Sequence, residues 1–353
     1  MTTAISQTTL TLQEILARTG ADGKLLPVVH TLMETNQLIA FALAWGGIAR
    51  CNNNLTFKGT RDSTEPTPSE IDYDEGITAT IGTAEPFEEP TCTLADMLKM
   101  DLNKLNDQSD GAAVMNDELR RHINGFNKTF ASRLFYGDRD TYRKRIRGLE
   151  YRSAYNALSS ARVFDNAGGA ASATANKASI FILDIGPGGW QIIYPQNDTR
   201  PQNAGQDTAD TKGLGIHIID YGDRVPLTDG DGNPYPGTQA WMQMRWGQAV
   251  HNPDAVARIA NISTTSIDEV DDFSLNEDYL IDALTYQTKK MGSSSTRVIV
   301  IPSAISGQLW KRVNDKGNLF HTMEDPFGRP VRAFNDVPIA VCDALTETEA
   351  TVS

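Results

Sequence analysis

Apolar residues recur at three- and four-residue spacing through Leu119, Ile123, Phe126, Phe130 and Leu134, which predicts an amphipathic helix over about 112–136. Arg120, Arg121, Asn124, Asn127 and Lys128 cover its other face, and Tyr136-Gly137-Asp138 ends it. Ahead of it, Leu12, Ile15 and Leu16 form a short stripe closed by Gly20 and Gly23. Pro27 opens a second stripe through Val28, Val29, Leu32 and Met33, with Leu38, Ile39 and Ala42 after it. Residues 1–50 therefore read as an N-terminal arm that needs another surface to pack on. In 51–90, Leu55 and Phe57, then the alternating Ile71 and Tyr73, predict two strands joined by a Pro-, Ser- and Thr-rich turn at 62–69. Ile77, Ala79 and Ile81 continue the alternation. Such a hairpin has little core of its own and is marginal alone. Residues 91–105 fit two periods. Cys92, Leu94, Leu98, Met100 and Leu102 alternate as in a strand, whereas Leu94, Leu98, Leu102 and Leu105 make a helical stripe.

After Gly168-Gly169 the pattern turns to short apolar runs. Ser179–Leu183 and Trp190–Tyr194 flank Gly186-Pro-Gly-Gly189, which predicts a hairpin. Gly215–Ile219 and Ala240–Trp246 predict a second strand pair, and Ala255–Ile262 a further strand. Leu275–Met291 reads as a helix, Arg297–Ile301 as a buried strand, and Pro302 as the start of a helix through Ile305, Leu309 and Trp310. Val331–Val341 returns as strands. The class is α+β, with no internal repeat.

Charge changes the picture more than overall composition does. A chain of 353 residues, 40% hydrophobic and 22% charged, is expected to fold, as two domains or as one with long extensions. Its net charge of −13 argues against non-specific grip on nucleic acid. That charge is unevenly placed. Residues 61–90 hold Asp62, Glu65, Glu70, Asp72, Asp74, Glu75, Glu85, Glu88 and Glu89 against Arg61 alone. Residues 120–152 hold Arg120, Arg121, Lys128, Arg133, Arg139, Arg143, Lys144, Arg145, Arg147 and Arg152 against Asp138, Asp140 and Glu150. The expected inter-subunit contact sets Glu70, Asp72, Asp74 and Glu75 of one copy against Arg120, Arg121, Arg143, Lys144 and Arg145 of the next. The basic stretch, with Tyr142 and Tyr151 interleaved, also admits nucleic-acid contact. The acidic partner within the same chain favours the subunit contact.

Little else suggests chemistry. Asp229-Gly-Asp-Gly-Asn233 starts like a calcium loop, but Ala240 occupies the twelfth position where a Glu is required. The five histidines, His30, His122, His217, His251 and His321, lack metal-ligand spacing, and no Ser sits in a nucleophile elbow. No catalytic residue, metal or cofactor is expected, although a hydrolase with its carboxylates on the sheet domain is the rival reading. Cys51, Cys92 and Cys342 fit neither a disulfide framework nor a zinc site. No signal peptide is expected at the polar N-terminus, and the longest apolar run, Leu38 to Ala49, is too short to span a bilayer, so no membrane role is expected.

With these elements in order, the chain resembles the major capsid proteins of tailed bacteriophages, in particular podophage types, whose fold is named after the phage Hong Kong ninety-seven. The resemblance rests on the arm helix Leu25–Phe41, the extended Asn54–Arg61, the Glu75-Gly76 pair, and Phe135-Tyr136-Gly137-Asp138 followed by Arg147-Gly-Leu-Glu-Tyr-Arg152. Trp190–Pro195 and Ala257–Ile262 resemble later strands of that group. The resemblance implies an N-terminal arm at 1–50, an extended loop at 51–90 lying over the adjacent subunit, and a peripheral domain at 91–150 containing the spine helix. It further implies an axial domain at 151–330 and return strands at 331–353. It implies a structural protein rather than an enzyme, assembling in the host cytoplasm as pentamers and hexamers of an icosahedral virion shell around double-stranded DNA, without sequence-specific binding. A portal and a decoration protein are implied partners; and, since the fold is expected to begin within about the first 25 residues, a separate scaffolding protein, or none, is implied. An encapsulin-like compartment shell is the alternative with the same fold. One branch cross-links its loop covalently through lysine; Lys58 is the only lysine in the 51–90 loop.

Overall fold

Strands predominate, and their order decides which residues reach the surface. The computed structural model describes residues 37–107, 110–167, 176–196, 216–222, 225–264, 274–316, 320–324 and 330–353. The helices expected before residue 37 lie outside them. Chain order is α1 (Leu38–Ala44), β1 (Ile48–Arg50), β2 (Thr56–Thr64), β3 (Thr83–Pro90), β4 (Cys92–Asp101), α2 (Leu102–Asn106) and α3 (Gly111–Tyr136). There follow β5 (Val163–Asp165), β6 (Lys177–Asp184), β7 (Trp190–Tyr194), β8 (His217–Asp220), β9 (Val225–Thr228), β10 (Pro234–Val250) and β11 (Val256–Ser263). Last come α4 (Glu277–Met291), β12 (Arg297–Ile301), α5 (Ser303–Lys316), β13 (Phe320–Glu324), β14 (Pro330–Phe334) and β15 (Val337–Val341). The chain divides into two compact units, one containing 93–131 and 200–245, the other 35–92, 132–199 and 246–353.

The second unit is built on a seven-stranded sheet in the order β13-β14-β15-β12-β6-β11-β5. β6, β11 and β12 are buried along their whole length, which is why they read as apolar runs rather than as alternation. On one face, Ile180, Ile182, Ile259 and Ile299 meet Leu280, Ala283 and Leu284 of α4 and Ile305 and Leu309 of α5. Asn276 caps α4 by accepting from the Asp278 amide; Glu277 and Asp278 sit in its first turn, Lys289 and Lys290 in its last. The other face carries Phe181, whose ring centroid lies 5.3 Å from that of Phe135 near the end of α3.

Gly186–Gly189 is not a hairpin turn. β6 pairs with β11 and β12, while β7 pairs with β1 and with the end of β10, in a different sheet. Gly188, at φ 102°, and Gly189, whose backbone presses on the Asp184 carbonyl, let the chain turn sharply enough to change sheets. The ambiguous 91–105 resolves into both elements: β4 runs to Asp101, whose carboxylate accepts from the Asn103 amide at 2.9 Å and starts α2.

In the first unit, residues of α3 and β4 bury Val114, Phe126, Leu98 and Met100, and β8 and β9 pair antiparallel to β10. The 229–233 segment is the β9–β10 turn, its Asp229 carboxylate accepting from the amides of Asp231 at 3.0 Å and Asn233 at 2.7 Å. His122 meets Asp96 at 2.5 Å. Among the described residues, no group of three or more His, Cys, Asp or Glu is placed to hold a metal ion, and no helix is long and apolar enough to cross a membrane.

Candidate functional site

The hairpin of 51–90 differs from its expected form. β2 runs on through the expected turn to Thr64 and pairs not with 71–73 but with β3, from Thr56↔Pro90 to Thr64↔Thr83, with a bulge between Asp62 and Thr64. Pro66 and Pro68 deny the chain a ladder there, so the strand resumes only at Thr83. Every residue from 62 to 86 is exposed. That includes Ile71, Ile77 and Ile81, and Tyr73 at 95%. Four large apolar side chains on one stretch exceed what a surface normally leaves to water. At the far end, Asp72 and Glu75 close a turn in which the Glu75 carboxylate accepts from the Asp72 amide at 3.1 Å. Asp74 adopts φ 68° there. Glu70, Asp72, Asp74 and Glu75 thus form one acidic tip.

The loop's root is gripped. Phe57 and Phe87 stack at 6.4 Å, and both lie perpendicular to the His251 ring, with centroids 4.9 and 5.9 Å away. Gly59 lies opposite Phe87 in the ladder, and a Cβ there would come within 2.6 Å of its ring. Arg61 covers the Phe87 ring at 4.5 Å and donates to the Val250 carbonyl at 3.4 Å. His251 shares a 2.9 Å hydrogen bond with Gln191, and burial, followed by the charge of Arg61, lowers its pKa. Glu89, the buried residue of β3, takes a two-pronged ion pair from Arg152, one prong at 3.1 Å. The two oppositely charged segments therefore do meet within one chain, at this pair.

The predicted basic residues separate into two groups. On α3, Arg120 is exposed, while Arg121 is held by Asp117 at 3.0 Å and Glu118 at 3.7 Å on its own helix. Beyond α3, Arg143 and Lys144 stand exposed and form no ion pair among the described residues. Arg145 stacks on Tyr142 at 4.0 Å. Burial, and then Arg145 beside it, lowers the pKa of Arg133. The nearby acids are spent locally: Asp138 accepts from the Thr141 amide and Asp140 pairs with Arg147 at 2.9 Å. With Asp140 engaged by Arg147, the exposed Arg143 and Lys144 leave the 139–145 loop a cationic surface.

Behind it lies a closely packed knot. Gly148 donates to the Gly137 carbonyl at 2.6 Å, and Leu149 and Glu150 donate to Leu134 and Phe135. A Cβ on Gly148 would overlap the backbone of Gly137 and Phe135. Arg258, wholly buried, donates to Ser179 at 3.0 Å, to the Tyr155 carbonyl at 3.1 Å, to Glu150 at 3.3 Å and to Glu349 at 2.9 Å. Glu349 also accepts from Tyr136 and Ser179. Burial raises the pKa of Glu150 against the pull of Arg258, and burial with Glu349 beside it raises that of Tyr136. Tyr136, Gly137, Gly148, Glu150 and Arg152 are residues on which the family resemblance rests, and each has a packing reason. Glu349 was invisible in Thr346-Glu-Thr-Glu-Ala-Thr-Val352, which reads as a polar tail. Arg258 did leave a signal: one arginine inside an apolar strand requires a buried carboxylate somewhere.

Residues 20–353 match the family model of major capsid protein GP7. No curated protein matches the chain. Among solved structures, a chain from the cryo-EM structure of bacteriophage Epsilon15 superposes with a TM-score of 0.71 at 23% identity, covering 99% of each chain. More distant are the capsid of bacteriophage JBD30 (TM-score 0.47, 10% identity, 89% of this chain and 93% of that one) and the holo-SrpI encapsulin complex from Synechococcus elongatus (TM-score 0.44, 13% identity, 73% and 98%). With a family model spanning nearly its whole length and an α+β fold of the Hong Kong ninety-seven type, the chain belongs to the major capsid protein GP7 family and is a shell-forming protein of the phage virion.

Proposed function

We propose that copies of this chain assemble in the host cytoplasm as pentamers and hexamers of an icosahedral head around double-stranded DNA, each laying its acidic loop tip on the cationic 139–145 loop of the next. The observation that carries this reading is the unbroken exposure of 62–86 with Ile71, Tyr73, Ile77 and Ile81 on it. A segment that leaves these side chains in water within its own subunit gains from covering them in an assembly. Charge supplies direction: Glu70, Asp72, Asp74 and Glu75 face Arg143, Lys144 and Arg145, with Arg120 as a further cation, and Arg121 retained by its own helix. In this reading 51–90 is the extended loop, α3 the spine of a peripheral domain over 91–150, 151–330 the axial domain, and 331–353 the return strands. The protein acts through interfaces rather than catalysis. A net charge of −13 suits a container whose wall does not grip phosphate. A separate scaffolding protein, a portal and a decoration protein are its expected partners.

Reversing Glu70, Asp72, Asp74 and Glu75 to Lys should abolish shells in negative-stain microscopy while leaving the circular dichroism of the chain unchanged. Matching reversals at Arg143, Lys144 and Arg145 should restore them. Normal shells from the acidic-tip variant would refute the pairing. An encapsulin-like compartment is the second reading, since an encapsulin shares the architecture at lower similarity; protein cargo in place of nucleic acid inside native particles would establish it.

A further inference from the structure

The loop is held only at its base, and the grip comes from both its strands. Glu89 on β3 is bound by Arg152, whose guanidinium also reaches the carbonyls of Arg147 at 3.4 Å and Gln248 at 3.5 Å. Phe57 and Arg61 on β2 and Phe87 on β3 close around His251, with Val250 and Gln191 completing the contact. Thr91 donates twice to the Leu55 carbonyl, from its amide at 2.9 Å and its hydroxyl at 2.7 Å, pinning the two chain ends together. Beyond Arg61 and Phe87 every residue is exposed. A two-stranded ribbon in water has no stiff attachment of its own, so its direction is set where it is clamped.

We propose that Arg152 and Glu89, together with the Phe57–Phe87–His251 cluster, are positioning residues that aim the extended loop before subunits meet. The proposal rests on the reading that the loop docks on a second copy, and adds which residues decide where it points. A loop fixed in direction loses less freedom on docking than one that swings, and that difference appears directly as association free energy. Stability alone does not account for the ion pair. Burying two charges carries a desolvation cost for each ion, and an apolar pair of similar volume commonly does as well or better. Its two-pronged geometry gives what an apolar contact lacks, one fixed orientation of β3 against the 147–152 segment.

The test uses the full chain, unassembled, with its cysteines replaced by serine and spin labels on Ser69→Cys at the loop and Thr285→Cys on α4, both exposed positions. Electron–electron distance measurements should give one narrow distribution for the parent chain. Glu89→Gln and the Glu89→Met/Arg152→Met pair should broaden it about twofold, because the orientation-fixing fork is lost in both. The methionine pair should at the same time keep or raise the urea midpoint, which a merely structural role would not allow. Should that pair fail to fold, Glu89→Gln and Arg152→Lys still decide the matter. Distributions unchanged in these variants, or as broad in the parent as in them, would overturn the proposal. Failure of the docking reading shows separately, as normal shells from the acidic-tip reversal, and leaves the distance result intact.

Discussion

Arg258→Met should be the most damaging single charge removal in the chain. The side chain is wholly buried and donates four hydrogen bonds, two of them to carboxylates. Its loss leaves Glu349, with 3% of its side chain exposed, facing Glu150 with only the hydroxyls of Tyr136 and Ser179 to stabilise it. Removing one partner of a buried pair costs about 3–5 kcal/mol, because the other charge stays buried and uncompensated. Removing both should cost less: in Arg258→Met/Glu349→Met the stranded charge is gone, the Tyr136 hydroxyl keeps its hydrogen bond from the Thr346 amide, and what remains is about 1–3 kcal/mol for the Ser179 hydroxyl left without a partner. Urea unfolding of the unassembled chain, followed by far-UV circular dichroism near neutral pH, measures both. The double variant is expected to be more stable than the single one. A single variant within about 1 kcal/mol of the parent, or a double variant worse than the single, would refute the assignment of Glu349 as the buried counter-charge.

Three further outcomes are expected. Gly148→Ala should cost about 3 kcal/mol or more and yield insoluble protein, since the atoms a methyl would meet are backbone of Gly137 and Phe135 that cannot give way; soluble expression at parental levels would contradict this. Gly125→Ala, exposed on α3 with nothing within 4 Å of the added carbon, should instead raise stability by about 0.5–1 kcal/mol, read as a higher thermal midpoint. His251 holds its pKa below 6.5, so the folded chain resists its proton. Its contribution is therefore complete above pH 6.5 and lost as pH falls through the lowered folded-state value. His251→Gln should flatten the fall in urea midpoint between about pH 7.5 and 5.

Where periodicity and packing agreed, elements could be read directly from the chain. The 112–136 stripe became α3 at Gly111–Tyr136 because its apolar face is buried along one side. The runs at β6, β11 and β12 became buried strands because both faces of their sheet are covered. What misled was partner choice. Ser179–Leu183 and Trp190–Tyr194 each formed as expected, but a glycine-rich link is as able to carry a chain between sheets as to fold it back. In the loop, the alternation of Ile71, Tyr73, Ile77 and Ile81 is real but unpaired within the subunit. Alternation records that one face wants burial, without saying in which molecule. The charge contrast was legible as composition. Its intrachain expression among the described residues, Glu89 with Arg152, was not, because no local rule links residues 63 positions apart.

We propose that the acidic loop of one copy covers the cationic loop of the next. Electron cryo-microscopy of shells assembled from the purified full chain tests it most directly. Closed shells are expected, with density for residues 70–75 of each subunit lying against 143–145 of an adjacent one. A monodisperse monomer at high concentration with 61–90 protected from protease, or shells whose loop tips lie elsewhere, would contradict it.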